Sequence, residues 1–301
     1  MIWKSRVIWL VAGVLISGCA TRPANPLFTD KADVAATKEI MARKDQIIQI
    51  PTPITDGGRP VLLLLHGATD DPTEMMDIVR EWRGTYDVFL YAYNCHIRVQ
   101  TVASDFVKEV ERLKTANRFH GPITIVVYSY AAIVFREAVI SADDRTVFAG
   151  VYLIQMVPTA GGSFFERSIK NPLLAWVISL VSHPAYAENP WGRFAEQLWA
   201  GAGNRKFYSI IPPDHMHTLC LEGDPHSLAG VADEQVRERY RNGLGPNVVL
   251  IPKSSRVTHD YFPTNPVALG YLRRLLAPPP EAAEPDKMQV ASPGRKTGTA
   301  G

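Results

Sequence analysis

Ile123-Thr124-Ile125-Val126-Val127-Tyr128-Ser129-Tyr130-Ala131-Ala132 changes its structural period within ten residues. Six residues of strand-forming type, Ile123 to Tyr128, run straight into a lone serine. Behind it, Ala131-Ala132-Ile133-Val134-Phe135-Arg136-Glu137-Ala138 reads as a helix. A sharp strand-to-helix turn leaves its central side chain at the end of a sheet, where a hydroxyl can meet a substrate. Ser129 is therefore the first candidate nucleophile.

The same alternation extends in both directions. Upstream, Gln46–Ile50 reads as a strand, and Val61-Leu62-Leu63-Leu64-Leu65 is a continuous apolar run suited to a central strand covered on both faces. Pro72–Trp82 reads as helical and Tyr86–Tyr93 as a strand. Val99, Val102, Ala103, Phe106, Val110 and Leu113 fall at helical spacing. Downstream, Val151–Met156, Phe207–Ile211 and Val248–Ile251 read as strands, Asp233–Tyr240 as a helix, and Asn265–Leu276 as the last helix. Strands and helices alternating this regularly predict an α/β fold with a mostly parallel central sheet flanked by helices. Residues 158–204 form a long insertion with apolar and aromatic segments, Leu173–Val181 and Phe194–Trp199 among them, expected to make a helical cap. Insertions at the C-terminal edge of a parallel sheet lie where ligands bind.

Of the 301 residues, 46% are hydrophobic and 21% charged, with a net charge of +2, a composition that suits a large buried core and excludes the basic stripe nucleic acid requires. Lys4 and Arg6 precede an apolar run, Val7–Ile16, too short for a comfortable membrane span. That run ends in Ile16-Ser17-Gly18-Cys19, which resembles the lipobox of bacterial lipoproteins. The resemblance implies removal of residues 1–18 and diacylation of the Cys19 thiol, with palmitate as an acyl group. The protein would then be anchored in the cell envelope. Ala20 after the cysteine implies the outer membrane facing the periplasm if the source is Gram-negative. Residues 19–45 would be a lipidated tether with a helix from Asp33 to Lys44. Residues 46–276 would be the folded domain, and residues 277–301, opening on Pro278-Pro279-Pro280, a disordered tail. Cys95 and Cys220 are expected to be free thiols.

Three polar residues follow strands in the order Ser129, Asp214, His259. With this set the sequence resembles the α/β-hydrolase family, in particular its lipases and esterases, over roughly residues 60–276. The family's fold is expected to follow. His66-Gly67 looks like the lipase oxyanion loop, which implies Ala68 N–H and Tyr130 N–H as oxyanion donors. Pro158-Thr159-Ala160-Gly161-Gly162-Ser163 is similar to a turn found after the next strand in lipases. The implied roles are Ser129 as nucleophile, His259 as base and Asp214 as acid. Asp224, in Glu222-Gly223-Asp224-Pro225-His226, is the alternative acid, and the neighbouring Asp260 reads as structural.

Those residue types are what acyl transfer needs. A serine hydroxyl is a poor nucleophile until an imidazole accepts its proton, the imidazole needs a carboxylate to fix its tautomer, and the developing oxyanion needs backbone donors. The sequence departs from the family's Gly-x-Ser-x-Gly, which here is Val127-Tyr128-Ser129-Tyr130-Ala131. Val127 must find room against the following helix, and Tyr128 stands where many lipases carry histidine. This departure keeps a second reading open, an inactive hydrolase-fold lipoprotein that binds a lipid or an envelope partner. Asp214-His215-Met216-His217, with Asp224 and His226, raises a zinc reading, and Cys95-His96 a thiol nucleophile; the expectation is no metal, no cofactor and serine chemistry. Small-molecule esters or lipids are the expected substrates, and the oligomeric state is left open.

Overall fold

Val61–Leu65 has no accessible surface at any of its five residues, and the sheet is assembled around it. The computed structural model describes residues 45–51, 59–68, 72–95, 97–119, 121–159, 199, 201–224 and 242–276. In chain order these form β1 (Gln46–Gln49), β2 (Val61–Leu65), α1 (Met76–Trp82), β3 (Asp87–Ala92), α2 (Val99–Thr115), β4 (Ile123–Tyr128) and α3 (Ala131–Ser141). They continue with β5 (Tyr152–Met156), α4 (Gly201–Tyr208), β6 (Met216–Leu221), β7 (Asn247–Ile251) and α5 (Pro266–Leu276).

The strands make one sheet in the order β1-β3-β2-β4-β5-β6-β7, with β1 antiparallel to β3 and the remaining pairs parallel. The chain runs outward from β2 to β3, then returns to place β4 on the other side of β2. That reversal opens a crevice at the C-terminal ends of β2 and β4, the position where open α/β sheets hold their ligands.

Alternate strand residues feed two cores. Leu63, Leu65, Phe89, Tyr91, Ile125, Val127 and Leu153 pack with α2 and α3, and Trp199 and Phe207 of the following segment join them. Leu62, Leu64, Val88, Leu90, Val126, Tyr128, Ile154 and Met156 pack with α1 and α5 on the other face. Each such side chain contributes on the order of 1.5–3 kcal/mol by leaving water, which is why strands apolar on both faces stay in the middle of the sheet. The expected stripe of α2 is buried as read, from Val99 through Leu113.

Phe207–Ile211 is not a strand. Phe207 and Tyr208 close α4, and the strand of this region is Met216–Leu221. A short apolar run such as Phe-Tyr-Ser-Ile-Ile fits a helix end as well as a strand, and its neighbours decided the outcome: Gly201–Lys206 winds it into a helix packed on α3. The end of the 158–204 insertion joins the core here, since Trp199, Asn204 and Phe207 are all buried. Residues 160–198 of the expected cap, the Asp33–Lys44 and Asp233–Tyr240 helices, the N-terminal segment with Cys19 and the tail from residue 277 lie outside the described residues.

Cys95 follows β3 and Cys220 lies within β6; both are buried thiols outside any disulfide. β3 and β6 are four strand spacings apart, about 19 Å, well beyond the ~7 Å Cα separation a disulfide tolerates. Burial, with the Asp224 carboxylate nearby, pushes the Cys220 thiol up to about 12.

Arg136 is fully buried in α3, with its guanidinium 3.9 Å from the centre of the Phe207 ring and 4.4 Å from that of Trp199. It donates to the Gly243 carbonyl at 2.9 Å and to Asn204 Oδ1. Burial pulls its pKa down to about 9, so it remains a cation at neutral pH, stabilised by ring faces and fixed dipoles. Replacing it strands two buried acceptors and opens a hole between α3 and α4. Arg136→Ala is expected to lower unfolding stability by about 3 kcal/mol or more in urea denaturation. A loss below ~1 kcal/mol would mean that this buried cation contributes no net tie between the two helices.

Candidate active site

Ser129 directly follows β4 with φ 52°, in the left-handed region that L-residues other than glycine seldom adopt. The turn is held from both sides. Ser129 N–H donates to the Met156 carbonyl at 2.9 Å, and the Ser129 carbonyl accepts from Ala132 N–H at 3.1 Å as α3 begins. Its neighbour in the sheet leaves the same way: Val157, after β5, has φ 42°, and its N–H is fixed to the Leu219 carbonyl at 2.7 Å. For a β-branched residue that conformation is strained, and such strain concentrates at functional sites.

Val127, where an elbow glycine is expected, is an ordinary core residue. It pairs with Leu65 and Gln155 in register and is fully buried, in one cluster with Ala131 and Ala132. The helix leaves the turn on two alanines, both fully buried in the same cluster as Val127.

Ser129 Oγ lies 2.7 Å from His259 Nε2, and His259 Nδ1 lies 2.8 Å from Asp224 Oδ2. The aspartate side chain is 4% exposed and the imidazole 13%, so both bonds run in a largely water-excluded site. Nδ1–H donating to the carboxylate leaves Nε2 free to accept the serine proton. Asp224 reaches this position through a tight turn, Leu221 to Asp224, closed by Asp224 N–H to the Leu221 carbonyl at 3.3 Å, with Gly223 at φ 72°. Glu222 N–H donates to the Ile251 carbonyl at 3.0 Å, and Lys253 N–H to Glu222 Oε2 at 3.1 Å. These bonds tie the exit of β6, which carries the aspartate, to the exit of β7, which leads to His259.

Asp214 is not the carboxylate at His259. It sits exposed in the turn Pro213–His215 that precedes β6, so it lies at the N-terminal edge of the sheet. Six strand residues, about 20 Å, separate that edge from the one carrying Ser129. The misplacement follows from the strand assignment: with β6 set at Phe207–Ile211, Asp214 would have come after it. His215 stacks on Tyr152 at the same far edge, and His217 lies inside β6 with its pKa lowered by burial.

The His66-Gly67-Ala68 loop follows β2 directly and is braced on several sides. Tyr93 N–H donates to His66 Nε2 at 3.2 Å, so the His66 proton is on Nδ1, 2.9 Å from the Gly67 carbonyl. Tyr93 stacks on the His66 ring at 4.1 Å and its hydroxyl donates to the His66 carbonyl. Burial holds the Tyr93 phenol well above its ordinary pKa, so it stays a donor. Cys95 Sγ–H donates to the Gly67 carbonyl at 3.3 Å, and Gly67 N–H donates to the buried Glu74 carboxylate. A Cβ on residue 67 would stand 2.9 Å from the Tyr128 ring and 3.0 Å from Glu74 Oε1, which is why glycine is required there. Glu74 and Tyr93 were not singled out as site residues by sequence, Cys95 was weighed only as a thiol nucleophile and Tyr128 only as a departure from the lipase pattern; none was read as a brace of this loop. Tyr130, the N-cap of α3, directly follows Ser129, so the serine sits at the positive end of that helix.

Among solved structures, the chain is similar to a lipase of Bacillus licheniformis in its mature form, with TM-score 0.51 and 15% identity over 77% of this chain and 98% of that one. Esterase B of Lactobacillus rhamnosis gives TM-score 0.51 and 11% identity over 81% and 89% of the two chains. Lipase B of Aspergillus fumigatus gives TM-score 0.51 and 15% identity over 83% of this chain, which spans 57% of that lipase. No family model matches the sequence, and no curated protein matches it. At such identities the likeness is one of fold, and the fold is that of the α/β-hydrolases: a mostly parallel seven-stranded sheet flanked by helices.

The strain at residue 129 has a direct consequence for stability. Glycine adopts φ 52° at no steric cost, whereas alanine retains the strain and, like glycine, lacks the hydroxyl. Ser129→Gly is expected to be more stable than Ser129→Ala by about 1 kcal/mol, the reverse of the order at an ordinary site. Urea unfolding of both variants measures the difference, and alanine proving the more stable would mean the turn is not strained.

Proposed function

We propose that this protein is a serine hydrolase of carboxylic esters, with Ser129 as nucleophile, His259 as general base and acid, and Asp224 as the orienting carboxylate. The observation that carries the reading is the unbroken hydrogen-bonded chain from Ser129 Oγ through both ring nitrogens of His259 to Asp224. It is supported by the strained turn that presents the serine and by the braced loop beside it.

Ser129 Oγ attacks the ester carbonyl carbon while His259 Nε2 takes the hydroxyl proton, and the imidazolium formed is stabilised by Asp224. The tetrahedral intermediate carries its negative charge on the former carbonyl oxygen. Ala68 N–H and Tyr130 N–H are the proposed donors to it: Gly67 N–H is already engaged by Glu74, and Tyr130 N–H stands at the start of α3. Collapse breaks the acyl–oxygen bond, and the departing alcohol takes the proton from His259. Water then attacks the acyl-enzyme with His259 again as base, releasing the acid and restoring the serine.

A lipid anchor at Cys19, on the lipobox-like Ile16-Ser17-Gly18-Cys19, would hold the enzyme at the cell envelope, facing the periplasm from the outer membrane in a Gram-negative source. An enzyme held at a membrane meets acyl and lipid-like esters there, which makes these the proposed substrate class.

Purified wild-type protein is expected to be labelled by a fluorophosphonate probe and to hydrolyse short p-nitrophenyl esters, and Ser129→Ala to do neither. Asp224→Asn is expected to lower kcat by about 10⁴-fold, the scale on which a triad carboxylate acts. Asp214→Asn, at the far edge of the sheet, is expected to leave kcat within about twofold, as a surface change away from the site does. A folded wild type that resists labelling would sink the hydrolase reading and favour a binding role. Equal losses at Asp214 and Asp224 would refute the assignment of the acid.

A further inference from the structure

We infer that Tyr128 is a positioning residue that couples the histidine-bearing loop to the oxyanion loop. This inference rests on the serine-hydrolase reading. Tyr128 is the last residue of β4, immediately before Ser129, and is 2% exposed. Its side chain lies on the sheet face opposite Val127, in the cluster shared with α1 and α5.

Three contacts converge on this side chain. Its hydroxyl donates to the His259 backbone carbonyl. Its ring stands 5.9 Å from the imidazole, tilted by 36°. Its ring edge also closes the space beside Gly67, where a Cβ would come within 2.9 Å of Cδ1 and Cε1. One rigid ring therefore touches the loop after β2 and the loop after β7, and it is covalently adjacent to the nucleophile.

The topology explains why such a tie matters. β2 is the direct neighbour of β4, so the oxyanion loop is delivered beside Ser129 by strand pairing alone. β7 is three strand spacings from β4, about 14 Å, so the loop after it must cross back over the ends of β6 and β5 to bring His259 to the serine. The Asp224 bond orients the imidazole about its ring, whereas the Tyr128 hydroxyl fixes the backbone from which the ring hangs. Phenylalanine would fill the same apolar space but could not hold the carbonyl. A hydroxyl buried at this depth needs an acceptor, and the acceptor here belongs to the residue whose position controls proton transfer.

The test is a time course of fluorophosphonate labelling on full-length wild type, Tyr128→Phe and Ser129→Ala, which gives a rate constant and a final stoichiometry separately. Tyr128→Phe is expected to reach the wild-type stoichiometry with a rate constant about 10- to 100-fold lower, the scale of an ångström-level misplacement. In ester hydrolysis its kcat should fall by a similar factor with KM within twofold. Labelling at the wild-type rate would overturn the inference while leaving the hydrolase reading intact. So would wild-type rate with reduced stoichiometry, because the hydroxyl would then hold only the fold. Absence of labelling in wild type itself would instead remove the hydrolase reading on which the inference rests.

Discussion

The left-handed backbone at Ser129 is the constraint on which the site depends. At φ 52° the chain cannot continue as a strand, so β4 stops at Tyr128 and α3 starts at Ala131, with only Ser129 and Tyr130 between them. The serine hydroxyl is thereby lifted above the end of the sheet, and the positive end of a helix is brought up behind it. The strained conformation persists because the surroundings over-determine it. Ser129 is bonded through both its N–H and its carbonyl, and Val127 is locked between β2 and β5 in one buried cluster with Ala131 and Ala132.

The remaining groups arrive from three other strand ends, all at the C-terminal edge. β2 brings the His66–Ala68 loop, β6 brings Asp224 through a glycine turn, and β7 leads to His259. Backbone bonds tie the exits of β6 and β7 together, and the buried side chains of Glu74, Tyr93 and Tyr128 fasten the flanking loops. In the proposed reaction, preorganisation of this kind would let donors and base face the reacting centre without rearranging. The cost is a set of buried polar groups beside the core, and each bond just named gives such a group a partner.

Much of the fold was legible because its signal is local. Five consecutive apolar residues at Val61–Leu65, bounded by Pro60 and Gly67, suit a strand covered on both faces, and the α2 stripe can be buried only on one helical face. The position of Ser129 follows from the change of period at its own residue. The 207–221 region was misread for an equally physical reason. Phe-Tyr-Ser-Ile-Ile is short and apolar, and fits a helix end or a strand; Met-His-Thr-Leu-Cys-Leu carries a histidine and a threonine that obscure a strand. Shifting one strand by nine residues moved Asp214 from one edge of the sheet to the other and exchanged the two candidate acids. The braces at Glu74, Tyr93 and Tyr128 were hidden because each acts across a loop and leaves no periodic pattern: Glu74 holds Gly67 7 positions away, Tyr93 holds His66 at 27 and Tyr128 holds His259 at 131.

The sequence by itself determined the alternation of strands and helices, the turn that presents Ser129, and a histidine beyond the last strand. These depend on periodicity and on neighbours a few residues apart. Only the tertiary structure decided that Asp224 and not Asp214 meets His259, and that Val127 fits where glycine was expected. It also decided that Tyr128 reaches across to the histidine loop. The reason is that hydrogen bonds and packing act over a few ångströms in space, and which residues come that close is set by strand order and register across the whole sheet.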